Sequence, residues 1–311
     1  MTASVFIDGG AGTTGLEIAE RLARRQEFAL VTLPDQQRKD DAARAEALNR
    51  ADFVILCLPD DAAKAAVAMI ENPAVRVIDA SSAHRVTPGW AYGFPEVTGR
   101  EAVAAARFVS NPGCYPTGFI GLVAPLVRGG LLPADWPYLC HAVSGYSGGG
   151  KALIARFEDA AHEGADIAFR AYGLGLGHKH VAEMRLHAGL RHSPVFAPAV
   201  VPAYRGMLVE VPLPLAAIPG AASPDALRAF LAAFYAGSPI VTVHDETPGE
   251  LLLRRSTVPS DRLDLHVFGS ADGSEARLVA LLDNLGKGAS GAAVQNLNLM
   301  AGLPETAGLR L

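Results

Sequence analysis

The chain has 311 residues, half of them hydrophobic and 19% charged, which excludes a disordered or fibrous polypeptide and leaves room for two domains at roughly 100–200 residues each. Its 27 basic and 32 acidic residues give a formal net charge of -5 with no runs of either sign, so it offers no footprint for nucleic acid or anionic lipid. No stretch approaches the roughly 18 uninterrupted apolar residues of a membrane span, and Met1 to Asp8 run into a strand-like segment without a charged-then-apolar leader, so a cytoplasmic protein is expected.

Ser4–Asp8 reads as a first strand, followed by Gly9-Gly10-Ala11-Gly12-Thr13-Thr14-Gly15 and a helix from about Gly15 to Arg25. Strand, glycine turn and helix in that order form the context of a dinucleotide fingerprint. Glycines let the backbone approach a pyrophosphate, and the amides at the helix N-terminus bind its charge. Gly9, Gly12, Thr13, Thr14 and Gly15 are therefore candidate cofactor-binding residues. A second strand, Phe28–Leu33, leads to Asp35, where an acid favours the ribose of NAD. Arg38 and Lys39 follow closely enough to hold the 2′-phosphate of NADP, so the residues alone leave both nicotinamides open. A helix in the forties, a strand Phe53–Leu58, a helix from Asp60 and a strand Val75–Asp79 continue the alternation. Such a rhythm predicts a parallel sheet with helices on both faces.

Beyond about residue 111 the segments become longer and more extended, as in Val195–Tyr204, Met207–Pro212 and Leu263–Ser270, which predicts a mixed or antiparallel sheet. The expected fold class is α/β: a Rossmann-like, doubly wound parallel-sheet domain over residues 1–112, and a second α+β domain for substrate, catalysis and dimerisation over 113–284. After Leu285 a glycine-rich entry precedes a helix, Ala292 to Met300, whose apolar positions are too closely spaced for an exposed face. Residues from about 285 to 311 are expected to return to the first domain and complete it.

The three cysteines, Cys57, Cys114 and Cys140, are odd in number and scattered, which fits neither a disulfide framework nor a metal site. Cys57 and Cys140 lie in apolar runs and read as small buried hydrophobes. Cys114, in Ser110-Asn111-Pro112-Gly113-Cys114-Tyr115-Pro116-Thr117-Gly118, stands between a strand end and an apolar helix. A helix N-terminus stabilises a thiolate and lowers the thiol from its usual value of about 8.5, and the flanking prolines and glycine fix a backbone that a merely packed cysteine would not need. In Gly177-His178-Lys179-His180-Val181-Ala182-Glu183, helical spacing makes Glu183 the i, i+3 neighbour of His180 and able to orient it. This spacing does not match a helical zinc pattern, and solvated surface histidines are the bland alternative. Ser144-Gly145-Tyr146-Ser147-Gly148-Gly149-Gly150-Lys151, with Arg85 beyond Ser81-Ser82, offers amides and cations suited to a phosphate leaving group, or else is a flexible loop.

Taken together these residues resemble the shorter form of the N-acetyl-gamma-glutamyl-phosphate reductase family. The resemblance covers Gly9–Gly15, Asp79-Ala80-Ser81-Ser82-Ala83-His84-Arg85, Tyr92-Gly93-Phe94-Pro95-Glu96, Asn111–Thr117, His178–Glu183, Asn284-Leu285-Gly286-Lys287-Gly288-Ala289 and Gly302-Leu303-Pro304-Glu305-Thr306. It implies NADPH-dependent reduction of N-acetyl-gamma-glutamyl phosphate to the semialdehyde in arginine biosynthesis, with phosphate released and a thioester formed on Cys114. A histidine of the 178–180 pair, His180 or His178, would be the acid–base group. Arg85, Ser144, Gly145 and Glu183 would line the substrate, Ser81 the cofactor, and Asn284 the nicotinamide. A homo-oligomer, dimer or tetramer, acting on a small molecule is expected, without nucleic acid or membrane partners. Ala182 stands where the family often has proline, and Gly177 where it has a more polar residue; both departures bear on which histidine acts. The alternatives are an acyl-phosphate reductase of the aspartate-semialdehyde dehydrogenase kind and a non-enzymatic nucleotide sensor, which would need no nucleophilic cysteine.

Overall fold

Short β-branched runs punctuated by glycine turns and helices fold, in the computed structural model, into two units, Met1–Pro112 with Ala289–Leu309 and Gly113–Gly288 with Arg310–Leu311. The structure describes residues 2–159 and 163–311.

In the first unit the elements run β1 (Ala3–Asp8), α1 (Thr13–Leu22), β2 (Phe28–Val31), α2 (Asp41–Arg50), β3 (Phe53–Leu56), α3 (Asp60–Ala68), β4 (Arg76–Asp79), β5 (Ala91–Tyr92), α4 (Pro95–Thr98), α5 (Arg100–Ala105) and β6 (Phe108–Ser110). The six strands pair in the order β2-β1-β3-β4-β6-β5, every pair parallel. Alternation along the strands feeds two cores. Val5, Ile55 and Ile78 meet Ile18 and Leu22 of α1 and Val103 of α5, while Phe6, Val54, Leu56 and Val77 meet Ala47 and Leu48 of α2 and Ala63 and Ala66 of α3. The chain leaves β1 for β2 on one side and returns to β3 on the other, so the strand order reverses between β1 and β3. In such sheets ligands bind beyond the strand C-termini at that point. Helix α1 begins at Thr13 rather than at Gly15, because Gly12 is still extended, φ -75° and ψ 164°, and serves as its N-cap.

The second unit contains α6 (Cys114–Arg128), β7 (Leu139–Gly145), α7 (Gly150–Glu158), β8 (Arg170–Ala171), α8 (His180–His187), β9 (Val195–Val201), β10 (Met207–Leu213), α9 (Pro224–Phe234), β11 (Val241–Val243), β12 (Leu263–Gly269) and β13 (Ala276–Leu282). Its mixed seven-stranded sheet has the order β11-β12-β13-β10-β7-β9-β8, with β7–β9 and β11–β12 parallel and the other pairs antiparallel. Helix α6 lies against one face. A Cβ on Gly118 would stand 2.7 Å from Val209 Cγ2, so a glycine is what lets the helix come this close. Inside α6, Pro125 has no N–H to give to the carbonyl of Gly121 one turn back. The Tyr235 hydroxyl donates to that carbonyl instead, at 2.7 Å. The opposite sheet face carries the row Val143, Leu208 and Leu281, with Leu139 and Val195 exposed beside it.

Residues Gly286–Ser290 form one π-type turn, and α10 (Gly291–Met300) follows. The return to the first unit, expected from about 285, comes at Ala289. Gly286 is held against the Ser260 carbonyl, and a Cβ on Gly288 would stand 2.9 Å from Cys114 Cβ, so both glycines are packed within the second unit. Helix α10 sends Ala293, Val294, Leu297 and Met300 into the core beside α1 and α5, as its apolar spacing predicts. The donor ends of its buried amides are satisfied, while Asn296 Oδ1 is buried without a hydrogen-bond partner among the described residues. Gln295 Nε2 donates to Glu96 Oε1 at 3.0 Å, Asn296 Nδ2 to Gly93 O and Asn111 Oδ1 at 3.0 Å, and Asn298 Nδ2 to the carbonyls of Glu305 and Ala307.

Tyr235→Phe would strip the Gly121 carbonyl of the donor that replaces the missing proline amide. Urea unfolding should register a loss of about 1–2 kcal/mol with turnover unchanged.

Candidate active site

The turn after β1 is shaped for a phosphate. Gly9 has φ +85°, and a Cβ there would collide with the Cys57 carbonyl beyond β3; a Cβ on Gly15 would stand 2.8 Å from Gly10 Cα and from the Gly9 carbonyl oxygen. The turn closes through Gly12 N–H to Gly9 O at 3.0 Å, and no side chain caps α1. Helix geometry gives the first-turn amides no internal acceptor, so they suit an external anion. Thr13 Oγ1 is buried without a hydrogen-bond partner, an orphaned hydroxyl that a phosphate oxygen would satisfy. These residues fit a dinucleotide.

Arg38 and Asp35, opposing cues in the sequence, form one surface ion pair at 2.8 Å with the arginine side chain 54% exposed, and Lys39 is exposed beside them. Arg44 of α2 is a different case. Its Nε and Nη2 donate to Asp8 Oδ2 at 3.2 and 2.9 Å and its Nη1 to Asp41 at 3.1 Å, with the side chain 13% exposed. Sequence reasoning passed over Arg44. The available signal was Asp8 itself, a carboxylate at a strand end that needs a counter-charge once buried.

Beyond β4, the fully buried Asp79 accepts from Ser81 N at 2.9 Å, Ser81 Oγ at 2.7 Å and His84 Nδ1 at 2.7 Å. His84, unassigned from sequence, also stacks on Trp90 with ring centroids 4.1 Å apart. Ser81 Oγ further accepts from Ala83 N at 3.1 Å, so this hydroxyl both donates and accepts inside its own loop. Arg85 is buried and donates from Nε to Asn111 O at 2.9 Å and from Nη2 to Ala80 O at 3.1 Å, tying the loop to the segment before Pro112.

In the second unit Cys114 is the first residue of α6 and is half-buried. Gly113, its N-cap, donates its amide to Glu183 Oε2 of α8 at 3.1 Å. Glu183, expected beside His180 on the helix or at the substrate, is thus also an anchor for the backbone of the cysteine turn. Pro116 removes a further donor, so the amides of Cys114 and Tyr115 are the ones for which the helix has no internal acceptor. Around this turn lie four rings. Tyr115 is 5.9 Å from His180, 6.5 Å from His178 and 5.1 Å from Phe196 between centroids, and the two imidazoles are 4.7 Å apart. The Tyr172 hydroxyl donates to that of Tyr115 at 3.2 Å, and Tyr115 donates to Ala199 O at 3.2 Å. Burial pushes both phenols up, and negative charge on Cys114 adds to the effect, which places the thiol within electrostatic reach of both. His178 Nδ1 accepts from the amide of His180 at 3.2 Å. A ring nitrogen that accepts from an amide carries no proton, so neutral His178 keeps its proton on Nε2.

The other two thiols are of another kind. Burial, then the charges of Asp79 and Asp8, push Cys57 up to about 12, and burial alone raises Cys140. Among the described residues no cluster suited to a metal ion is present.

The serine- and glycine-rich segment after β7 spends its amides internally. Gly145 N donates to Gly206 O at 2.8 Å, Tyr146 N to Ala203 O at 2.9 Å and Ser147 N to Tyr204 O at 3.1 Å. Gly145 is pressed against this turn, where a Cβ would stand 2.7 Å from Ala203 O. Asn284 completes the clamp: Oδ1 accepts from Gly206 N at 2.9 Å and Nδ2 donates to Ser147 Oγ at 2.9 Å. A contact from Asn284 to a nicotinamide would use its second N–H. Ser144 is buried and donates to Gly145 O at 2.9 Å, while Lys151 is exposed.

The family description "Semialdehyde dehydrogenase, NAD binding domain" matches residues 4–106, and "Semialdehyde dehydrogenase, dimerisation domain" matches 114–284. The chain's architecture is similar to aspartate semialdehyde dehydrogenase II of Vibrio cholerae, with a TM-score of 0.70 at 17% identity over 97% of this chain and 99% of that one. Proteins named N-acetyl-gamma-glutamyl-phosphate reductase are much more similar in sequence. That of Burkholderia ambifaria is 52% identical over 96% of both chains, and that of Rhizobium etli 51% identical over 96% of this chain and 99% of its own. A third, from Nostoc sp., is 49% identical over 98% of both. At such identity over nearly its whole length, the chain belongs to the N-acetyl-gamma-glutamyl-phosphate reductase family.

Proposed function

We propose that this chain reduces N-acetyl-gamma-glutamyl phosphate to N-acetylglutamate semialdehyde, using NADPH and releasing phosphate, as a cytoplasmic step of arginine biosynthesis. The observation that carries this reading is the place of Cys114, a half-buried thiol opening a long helix whose preceding amide is fixed by Glu183, amid Tyr115, His178 and His180. A nucleotide sensor would need none of this arrangement.

The helix N-terminus favours the thiolate. Its sulfur attacks the acyl carbon, the carbon–sulfur bond forms, and the bond to the phosphate oxygen breaks with the electron pair leaving on phosphate. The nicotinamide, when bound, supplies the hydride that reduces the thioester. Oxyanion charge at both tetrahedral stages falls to the amides of Cys114 and Tyr115. His180 is the acid–base group: it protonates the hemithioacetal oxygen and takes that proton back as the carbon–sulfur bond breaks to give aldehyde and thiolate. His178, with Nδ1 committed to the His180 amide, offers Nε2–H as a donor to a phosphate or carboxylate of the substrate. Ser81, bonded within its loop, and Arg85, which ties that loop to the segment before Pro112, shape it for cofactor and substrate. The family's dimerisation-domain description, together with the apolar row Val143, Leu208 and Leu281, supports a homodimer formed across the open sheet face of the second unit.

Two measurements test this reading. Cys114→Ser should bind cofactor normally and lose turnover by roughly 10⁴-fold or more. Cys57→Ala and Cys140→Ala should keep turnover and cost about 1–2 kcal/mol of stability. A Cys114→Ser enzyme with a tenth of normal activity would exclude the covalent route. For the assembly, Val143→Asp with Leu208→Asp should convert a dimer into a monomer in sedimentation, since directly opposed carboxylates on an apolar face disfavour its burial. An unchanged sedimentation coefficient would place the interface elsewhere.

A further inference from the structure

We propose that Arg44 is the residue that reads the adenosine 2′-phosphate of the cofactor, held ready for it by Asp8. This rests on the NADPH reading above and assigns its specificity to a residue outside the Arg38 and Lys39 pair.

Place comes first. Asp8 ends β1 and immediately precedes Gly9 of the phosphate turn. The parallel register sets Phe6 beside Val31, so Asp8 lies level with the chain just past β2. In this architecture the 2′ substituent of the adenosine ribose is read beyond the second strand, next to the glycine turn. Asp8 shares the sheet face of Phe6, the face covered by α2, and Arg44 stands one turn into that helix.

Geometry comes second. Arg44 places Nε and Nη2 on a single oxygen of Asp8, at 3.2 and 2.9 Å, and Nη1 on Asp41 at 3.1 Å. A guanidinium has five N–H groups, so two remain for a further acceptor. The side chain is 13% exposed and already ordered, whereas Arg38 is 54% exposed and paired with Asp35. Fixing a long exposed side chain costs rotamer entropy that a pre-ordered one does not, so Arg44 is the better reader of a phosphate.

Charge comes third. Alone, the buried Asp8 carboxylate next to the phosphate turn would repel any dinucleotide; Arg44 cancels that charge. A 2′-phosphate gains a charge-assisted bond to the same guanidinium, while the 2′-hydroxyl of NAD gains little. If Arg44 served only to cancel Asp8, its loss would weaken both dinucleotides alike. This difference makes the two roles separable.

The experiment is calorimetric titration of the full chain with NADP⁺, NAD⁺, 2′,5′-ADP and 5′-AMP. The variants are Arg44→Gln, the double variant Asp8→Asn with Arg44→Gln, and Arg38→Ala with Lys39→Ala. The double variant removes both charges together and leaves no buried carboxylate unpaired. It should lose roughly 10–100-fold in affinity for NADP⁺ and 2′,5′-ADP, and keep NAD⁺ and 5′-AMP within about threefold of the parent. Retained NAD⁺ binding certifies the fold. Equal losses for both dinucleotides, or selectivity that survives in the double variant and vanishes with Arg38 and Lys39, would overturn the assignment to Arg44. If the parent protein itself shows no preference for the 2′-phosphate, the NADPH reading falls and this assignment falls with it.

Discussion

The amide of Gly113 donates to the carboxylate of Glu183, and this bond holds the backbone from which the proposed chemistry starts. An N-cap amide has no acceptor within its helix, and a buried one must find another. Here it finds a side chain 70 residues away in the sequence. Proline follows two positions after the cysteine, so the amides of Cys114 and Tyr115 are the remaining ones for which the helix itself has no acceptor. Gly288 is packed against Cys114 from the other side, where any side chain would displace it. The backbone and Cβ of Cys114 are therefore placed by contacts of the backbone around them.

The same economy governs the polar groups around it. The segment after β7 looks from its composition like an anion-binding loop, yet the amides of Gly145, Tyr146 and Ser147 are bonded to the 203–206 turn, with Asn284 bridging the two. At Gly145 the glycine provides close approach: a Cβ there would stand 2.7 Å from Ala203 O. In the first unit Asp79 gathers Ser81 and His84, and Arg85 spends donors on the carbonyls of Asn111 and Ala80. Asp79, Ser81, His84 and Arg85 are held by these bonds before any ligand arrives. Preorganisation of this kind is what lets a site favour developing charge without rearranging at the moment of reaction.

Local chemistry was readable from the sequence; pairings across long separations were not. The glycine turn after β1 is written in seven consecutive residues, but the close approach of Gly9 to the Cys57 carbonyl, a second reason for glycine there, is not. The burial of α10 was readable because apolar residues recur too often for a surface helix. The burial of Gln295 and Asn296 was not, since their partners Glu96, Gly93 and Asn111 lie far away along the chain. Glu183 illustrates the limit. Helical spacing points it to His180, but its anchor at Gly113 follows from how α8 packs against α6, which no local pattern encodes. Arg44 was hidden for the same reason: a lone arginine in a charged helix is unremarkable until the register of β1 brings Asp8 to it.

The proposed chemistry requires a covalent bond between the substrate's acyl carbon and Cys114, which mass spectrometry of the protein mixed with acyl phosphate in the absence of dinucleotide would detect. The expected result is stoichiometric release of phosphate, a mass increase equal to the N-acetylglutamyl group, localisation of that group to the peptide carrying Cys114, and its removal by hydroxylamine. An unmodified protein, an adduct on Cys57 or Cys140, or phosphate release that waits for the reduced cofactor would contradict it.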